Sequence, residues 1–198
     1  SRRRTTSPAA TVPESIPVFT KLLAHEPISM SGQPPILWDH AEGPCVFDRF
    51  GKQWLDWSAC GLVADAGHSH PLILRQIRKL LDRKQLSTYV FAHEERADLV
   101  EKLTSLAPPG LDKAFLLTTG SEAVENTIKC MRTHGLRQGP GKKIIVSFEG
   151  GFHGRTLGAQ LAGGIPALKA WIGGEDPGFV QVPFPDGYLQ KDTSFDVF

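Results

Sequence analysis

The sequence predicts an α/β protein in which a small β meander precedes a mostly parallel sheet. Three observations predict it: short aromatic-rich β segments between Ile36 and Trp57, two helix-period stripes after Pro71, and the order apolar run, helix, apolar run between Ala114 and Val146.

Residues 1 to about 34 are rich in proline and poor in periodicity, and their basic run Arg2-Arg3-Arg4 sits among Ser, Thr and Pro, so they read as an arm that lies on something else. Residues 35–66 form the meander. Its strands are Ile36-Leu37-Trp38-Asp39, Cys45-Val46-Phe47-Asp48 and Gln53-Trp54-Leu55-Asp56-Trp57, with Arg49-Phe50-Gly51-Lys52 as the turn between the last two. Two helical stripes follow Pro71. Ile73, Ile77, Leu80 and Leu81 share one helical face, and Leu99, Leu103 and Leu106 repeat the pattern until Pro108-Pro109-Gly110 ends it. Ala114-Phe115-Leu116-Leu117 suits a buried strand, Val124, Ile128 and Met131 a helix stopped by Gly135, and Ile144-Ile145-Val146 a second strand. Strand, helix and strand in that order argue for a right-handed parallel crossover.

Composition removes several classes. With 22 Lys and Arg against 21 Asp and Glu, a net charge of +1 gives no field to gather nucleic acid or an anionic membrane. No segment approaches the ~20 apolar residues that span a bilayer, and none resembles a secretory signal, so a soluble, cytoplasmic protein is expected. Cys45, Cys60 and Cys130 are odd in number and widely spaced, which predicts reduced thiols and no metal site. His68 and His70 form an H-x-H pair, but the flanking Gly67 and Pro71 favour a loop entering a helix over a metal. The first residue is Ser, consistent with a trimmed or processed chain.

One junction suits an anion. Gly120 permits a tight turn after the apolar run, and Ser121 stands where an N-cap belongs, so a helix N-terminus with its partial positive charge faces outward as a phosphate site. The alternative is a serine that merely caps the helix. Gly139-Pro140-Gly141-Lys142-Lys143 lacks the glycine at 136 and the hydroxyl after the lysine that a Walker A loop needs, and no G-x-G-x-x-G opens the helix.

Taken together, the strings Leu117-Thr118-Thr119-Gly120-Ser121-Glu122-Ala123-Val124-Glu125-Asn126 and Gly151-Phe152-His153-Gly154-Arg155-Thr156 strongly resemble the class III aminotransferases, the 4-aminobutyrate, ornithine and acetylornithine group. Gly51-Lys52-Gln53-Trp54-Leu55-Asp56-Trp57-Ser58 and Gly67-His68-Ser69-His70-Pro71 resemble that family's early signature, so the likeness runs from about residue 36 onward. It implies fold type I of the enzymes dependent on pyridoxal 5'-phosphate (PLP), a mainly parallel sheet with helices on both faces, acting as a homodimer on amino-acid and oxo-acid substrates. On this resemblance residues 35–66 are the start of the small domain and 67–198 the first part of the PLP-binding large domain.

The resemblance also assigns roles. Gly120 and Ser121 match the holders of the cofactor phosphate, Phe152 the aromatic stacked on the pyridine ring, and His153 a support of that turn. Arg155 matches the arginine that grips a substrate carboxylate, a task suited to a planar fork. Gly61 falls where relatives place a larger side chain against the substrate, which implies a roomier pocket, and Tyr89 is a further substrate-side candidate. The lysine that holds PLP covalently and the carboxylate facing the pyridine nitrogen are expected beyond residue 198, so none of these residues is expected to be catalytic and the 198 residues alone are expected to be inactive. The same motifs also occur in racemases, decarboxylases and aminomutases, and a catalytically incomplete fragment is a further alternative.

Overall fold

The computed structural model describes residues 16–28, 34, 36–87, 91–174 and 176–187. The chain divides into two compact units, Ser1–Ala92 and His93–Phe198.

In the first unit the arm is not wholly irregular: Ile16–His25 forms a helix, α1. Pro17 lies in its first turn, where a missing amide costs nothing, and from there Val18, Phe19, Leu22 and Leu23 repeat at helical spacing. The meander forms with shifted bounds: β1 (Trp38–Glu42) begins two residues later than the expected Ile36–Asp39 strand and runs on to Glu42, β2 is Cys45–Asp48, and β3 (Gln53–Leu55) stops before Asp56, in antiparallel order β1-β2-β3. Asp48 explains the turn. Its carboxylate accepts the Phe50 amide at 3.0 Å, the Lys52 amide at 2.9 Å and the Trp54 indole N–H at 2.9 Å. These donors, the indole foremost, hold its carboxyl below the usual range. A four-residue turn, α2 (Ala59–Leu62), then leads to α3 (Pro71–Asp82), which starts on its proline. Gly43 and His68 exchange backbone hydrogen bonds of 3.0 and 2.8 Å, tying this connection to the meander.

The second unit opens with α4 (Glu94–Leu106), whose first turn carries Glu94 and Glu95 against the helix dipole. α5 (Gly120–Gln138) follows, then β4 (Ile145–Phe148), α6 (Leu157–Ala162), α7 (Pro166–Lys169), a 3-10 turn over Ala170–Ile172 and β5 (Phe179–Val182). β4 and β5 are parallel, pairing Ile145 with Phe179 and Phe148 with Val182. Ile128 of α5, Ile145 of β4 and Ala162 of α6 form the buried cluster, with Val124 and Phe179 packed on it. Beside that cluster a polar seam is fully paired: Ser147 donates to the Ala162 carbonyl at 2.5 Å, and Gln181 donates to Ser147 and to the Leu161 carbonyl, each at 3.1 Å.

Three expectations need correction. Residues 114–117 belong to no strand, because among the described residues none pairs with them, and Phe115 is 72% exposed. The parallel pair is therefore β4 and β5, crossed over by α6 and α7 rather than by α5. Gly135 does not stop α5, which continues to Gln138 and ends at Gly139. A Cβ on Gly135 would lie 2.1 Å from the Lys142 carbonyl oxygen, so this glycine admits the returning chain instead of ending the helix.

Candidate functional site

At the start of α5, where the sequence suggests a phosphate corner, the cap residue differs from the expected one. The N-cap is Thr119, whose hydroxyl accepts the Glu122 amide at 3.1 Å, and Ser121 is the second residue of the helix. Sequence reasoning missed the Thr119-x-x-Glu122 spacing of a capping box. Here Glu122 reaches one residue further back, accepting the Thr118 amide at 3.1 Å and, in a short contact, the Thr118 hydroxyl. Those bonds, the hydroxyl first, keep the Glu122 carboxyl below its ordinary value. The cap takes the Glu122 amide and the Thr119 carbonyl takes the Ala123 amide at 3.0 Å, so among the described residues the amides of Gly120 and Ser121 are the ones left without a partner in the first turn. A Cβ built on Gly120 would meet nothing within 4 Å. The corner is open.

The loop after β4 comes back to this corner. Gly154, at φ +129°, is buried so tightly against α5 that a Cβ there would lie 2.4 Å from the Ser121 Oγ and 2.9 Å from its Cα. The next residue, Arg155, donates its amide to the Ser121 Oγ at 3.1 Å. This leaves the Ser121 hydroxyl hydrogen free to be given elsewhere. Phe152, in the same loop, is 60% exposed. The His153 Nε2 lies 3.3 Å from where a Gly151 Cβ would be. Gly120, Ser121, Phe152, His153 and Arg155 thus lie in one unit, with Ser121 touching both Gly154 and Arg155.

A third carboxylate, not anticipated, holds the same loop. Glu125 Oε1 accepts the Thr156 hydroxyl at 2.6 Å and the Gly158 and Ala159 amides at 2.8 and 3.2 Å. No local pattern in the sequence announces bonds across 31 to 34 residues.

The match to the class-III aminotransferase family model covers residues 28–195. The chain belongs to that family. Acetylornithine aminotransferase of Agrobacterium fabrum is 33% identical over 153 residues, covering 77% of this aminotransferase chain and 38% of that protein. For 5-aminovalerate aminotransferase of Pseudomonas putida the identity is 34% over 154 residues, covering 76% and 35%. Among solved structures, an (S)-enantioselective ω-transaminase from Thermomicrobium roseum superposes with a TM-score of 0.77 at 26% identity, over 89% of this chain and 42% of that one. Taurine:2-oxoglutarate aminotransferase from Bifidobacterium kashiwanohense, solved with PLP and glutamate, gives 0.76 at 27% identity, over 91% and 40%. The chain therefore spans less than half the length of these relatives.

In the first unit, Gly61 lies in a run of left-handed residues: Ala59 (φ 45°), Cys60 (φ 53°), Gly61 (φ 71°) and Leu62 (φ 68°). Such backbone costs roughly 1–3 kcal/mol per non-glycine residue and survives only where its surroundings hold it. Asp56 does the holding. It accepts the Ser58 amide at 2.9 Å, the Ser58 hydroxyl at 2.6 Å, the Cys60 amide at 2.8 Å and the His68 Nε2–H at 2.8 Å. The Ser58 hydroxyl, then His68 and the Cys60 amide, push its carboxyl far below the carboxylate range. His68 is thereby a hydrogen-bond partner of Asp56. Tyr89 lies outside the described residues.

Proposed function

We propose that the chain is the cofactor-phosphate and carboxylate-binding part of a PLP-dependent aminotransferase that moves an amino group from an amino acid or ω-amino acid to an oxo acid such as 2-oxoglutarate or pyruvate. The observation that carries this is that, among the described residues, the amides of Gly120 and Ser121 have no hydrogen-bond partner, at the start of a 19-residue helix to whose second residue the Arg155 loop is bonded.

The donors suit a phosphate ester. Two amides and the helix dipole oppose its charge, and the free hydroxyl hydrogen of Ser121 adds a charge-assisted bond. Phe152 offers the flat apolar face on which a pyridine ring can lie, and its exposure is what that use requires. When bound, PLP supplies an electron sink for charge that develops beside the transferred amino group. Arg155 holds a substrate carboxylate by both oxygens and so fixes which end of the substrate points at the chemistry. Gly61 and Tyr89 are further substrate-side candidates on the family resemblance alone. We assign the covalent lysine and the pyridine-facing carboxylate to the part of the relatives' length that this chain does not span, and take the working unit as a homodimer in the cytoplasm.

Replacing Ser121 by Ala in the full-length polypeptide tests the reading. PLP affinity should fall by about 1.5–3 kcal/mol, the worth of one charge-assisted bond. Equilibrium dialysis showing unchanged retention would remove Ser121 from the phosphate site.

A further inference from the structure

Ser121 and Glu125 are i and i+4 on α5 and so lie one above the other on a single face of that helix. Both reach the loop that carries Arg155. From the N-terminal side, Ser121 accepts the Arg155 amide and packs against Gly154. On the C-terminal side, Glu125 takes the Thr156 hydroxyl and the amides of Gly158 and Ala159.

These partners are the orphan donors at the start of α6. Thr156 occupies the N-cap of that helix yet makes no side-chain bond to it, its hydroxyl being given to Glu125 instead. The cap of α6 is thus supplied by another helix. Gly158 belongs to the same arrangement, since a Cβ there would lie 2.4 Å from the Glu125 Oε2.

We infer that Glu125 is a positioning residue for Arg155: it clamps residues 156–159 to the helix that carries the phosphate cup, fixing the guanidinium's origin relative to Gly120 and Ser121. This rests on the proposed roles of the cup and of Arg155. Its signature is selective. The cup amides belong to α5 itself, so their geometry does not pass through Glu125, whereas that of Arg155 does.

The test uses the full-length, PLP-loaded polypeptide, with 2-oxoglutarate as the carboxylate probe. Glu125→Ala should raise the KM and Kd for 2-oxoglutarate about tenfold while PLP affinity changes less than about threefold. Glu125→Gln, whose amide carbonyl can still accept, should restore most of the loss. An unchanged 2-oxoglutarate KM in Glu125→Ala overturns the inference, as does an equal weakening of PLP and 2-oxoglutarate, or a Gln variant no better than Ala. If Glu125→Ala does not fold, Thr156→Val removes one of the three donors and should show the same split at smaller size; wild-type behaviour there counts against the clamp. Failure of the wild-type protein to hold PLP would strike the cup and leave the clamp to be judged by amide exchange. Gly158 and Ala159 should then exchange about tenfold faster in Glu125→Ala than in the wild type, and equal rates overturn it.

Discussion

Asp56 and Glu125 solve one problem in two ways. Each carboxylate gathers the amides of a bend that adjoins a candidate substrate residue, Gly61 in one case and Arg155 in the other. Three of the four bonds to Asp56 come from within four residues, and the fourth, from His68, comes from twelve residues away. All those to Glu125 come from 31 to 34 residues away. A short-range clamp fixes the shape of one turn. A long-range clamp fixes where one element stands relative to another, so its loss displaces a side chain without unfolding the turn that bears it.

The largest effect that could break this comparison is expected at Gly154. Replacing it by Ala places a methyl 2.4 Å from the Ser121 Oγ at a φ of +129°, so the loop must leave α5 and both anchor points go together. Overpacking of this kind costs about 1–3 kcal/mol, with backbone strain added. Thermal melting should fall, and in the full-length protein both PLP and 2-oxoglutarate should bind more weakly; retention of both would show that the loop can sit elsewhere.

Next in size is Asp56, whose clamp should respond to acid. Its folded carboxyl lies below its unfolded value of about 3.9, so the folded state binds fewer protons there and the stabilisation is complete above that value. It drains as pH falls from the unfolded value toward the folded one. Asp56→Asn should be less stable than wild type at neutral pH and should lose less on acidification, as followed by circular dichroism. Parallel acid profiles would mean that Asp56 does not hold the 58–62 turn.

Arg155→Lys sharpens the contrast from the substrate side. Exchanging the planar fork for a point charge leaves the amide bond to Ser121 in place, so the KM for a carboxylate substrate should rise with PLP still bound. An unaltered KM would take Arg155 out of the substrate site.

What could be read from the sequence follows the same division between near and far. The meander, α3, α4 and the start of α5 were legible because each is written in residues close together: Pro71 opening a helix, Pro108 closing another, the turn at 49–52. The cap of α5 is also written locally, in the Thr119-x-x-Glu122 spacing, and it falls on Thr119 rather than on Ser121. Gly135 misled because its purpose, admitting the Lys142 carbonyl, lies seven residues on and outside the helix. Residues 114–117 have strand composition, but a strand is defined by a partner, and composition cannot supply one. Glu125 was invisible because its three donors meet it only after β4 has returned the chain to α5.

The smallest effect concerns Thr119, and it divides capping from phosphate binding. Thr119→Ala removes the hydroxyl that accepts the Glu122 amide and should cost about 1 kcal/mol of stability. The Gly120 and Ser121 amides keep their direction, because the backbone carbonyl of residue 119 still accepts the Ala123 amide and closes the first turn. PLP affinity should therefore fall less than in Ser121→Ala, and Thr119→Ser should restore both stability and binding. If Thr119→Ala released PLP as fully as Ser121→Ala, the newly freed Glu122 amide would have failed to serve as a third donor, and the cup would depend on the cap rather than on two amides and a hydroxyl.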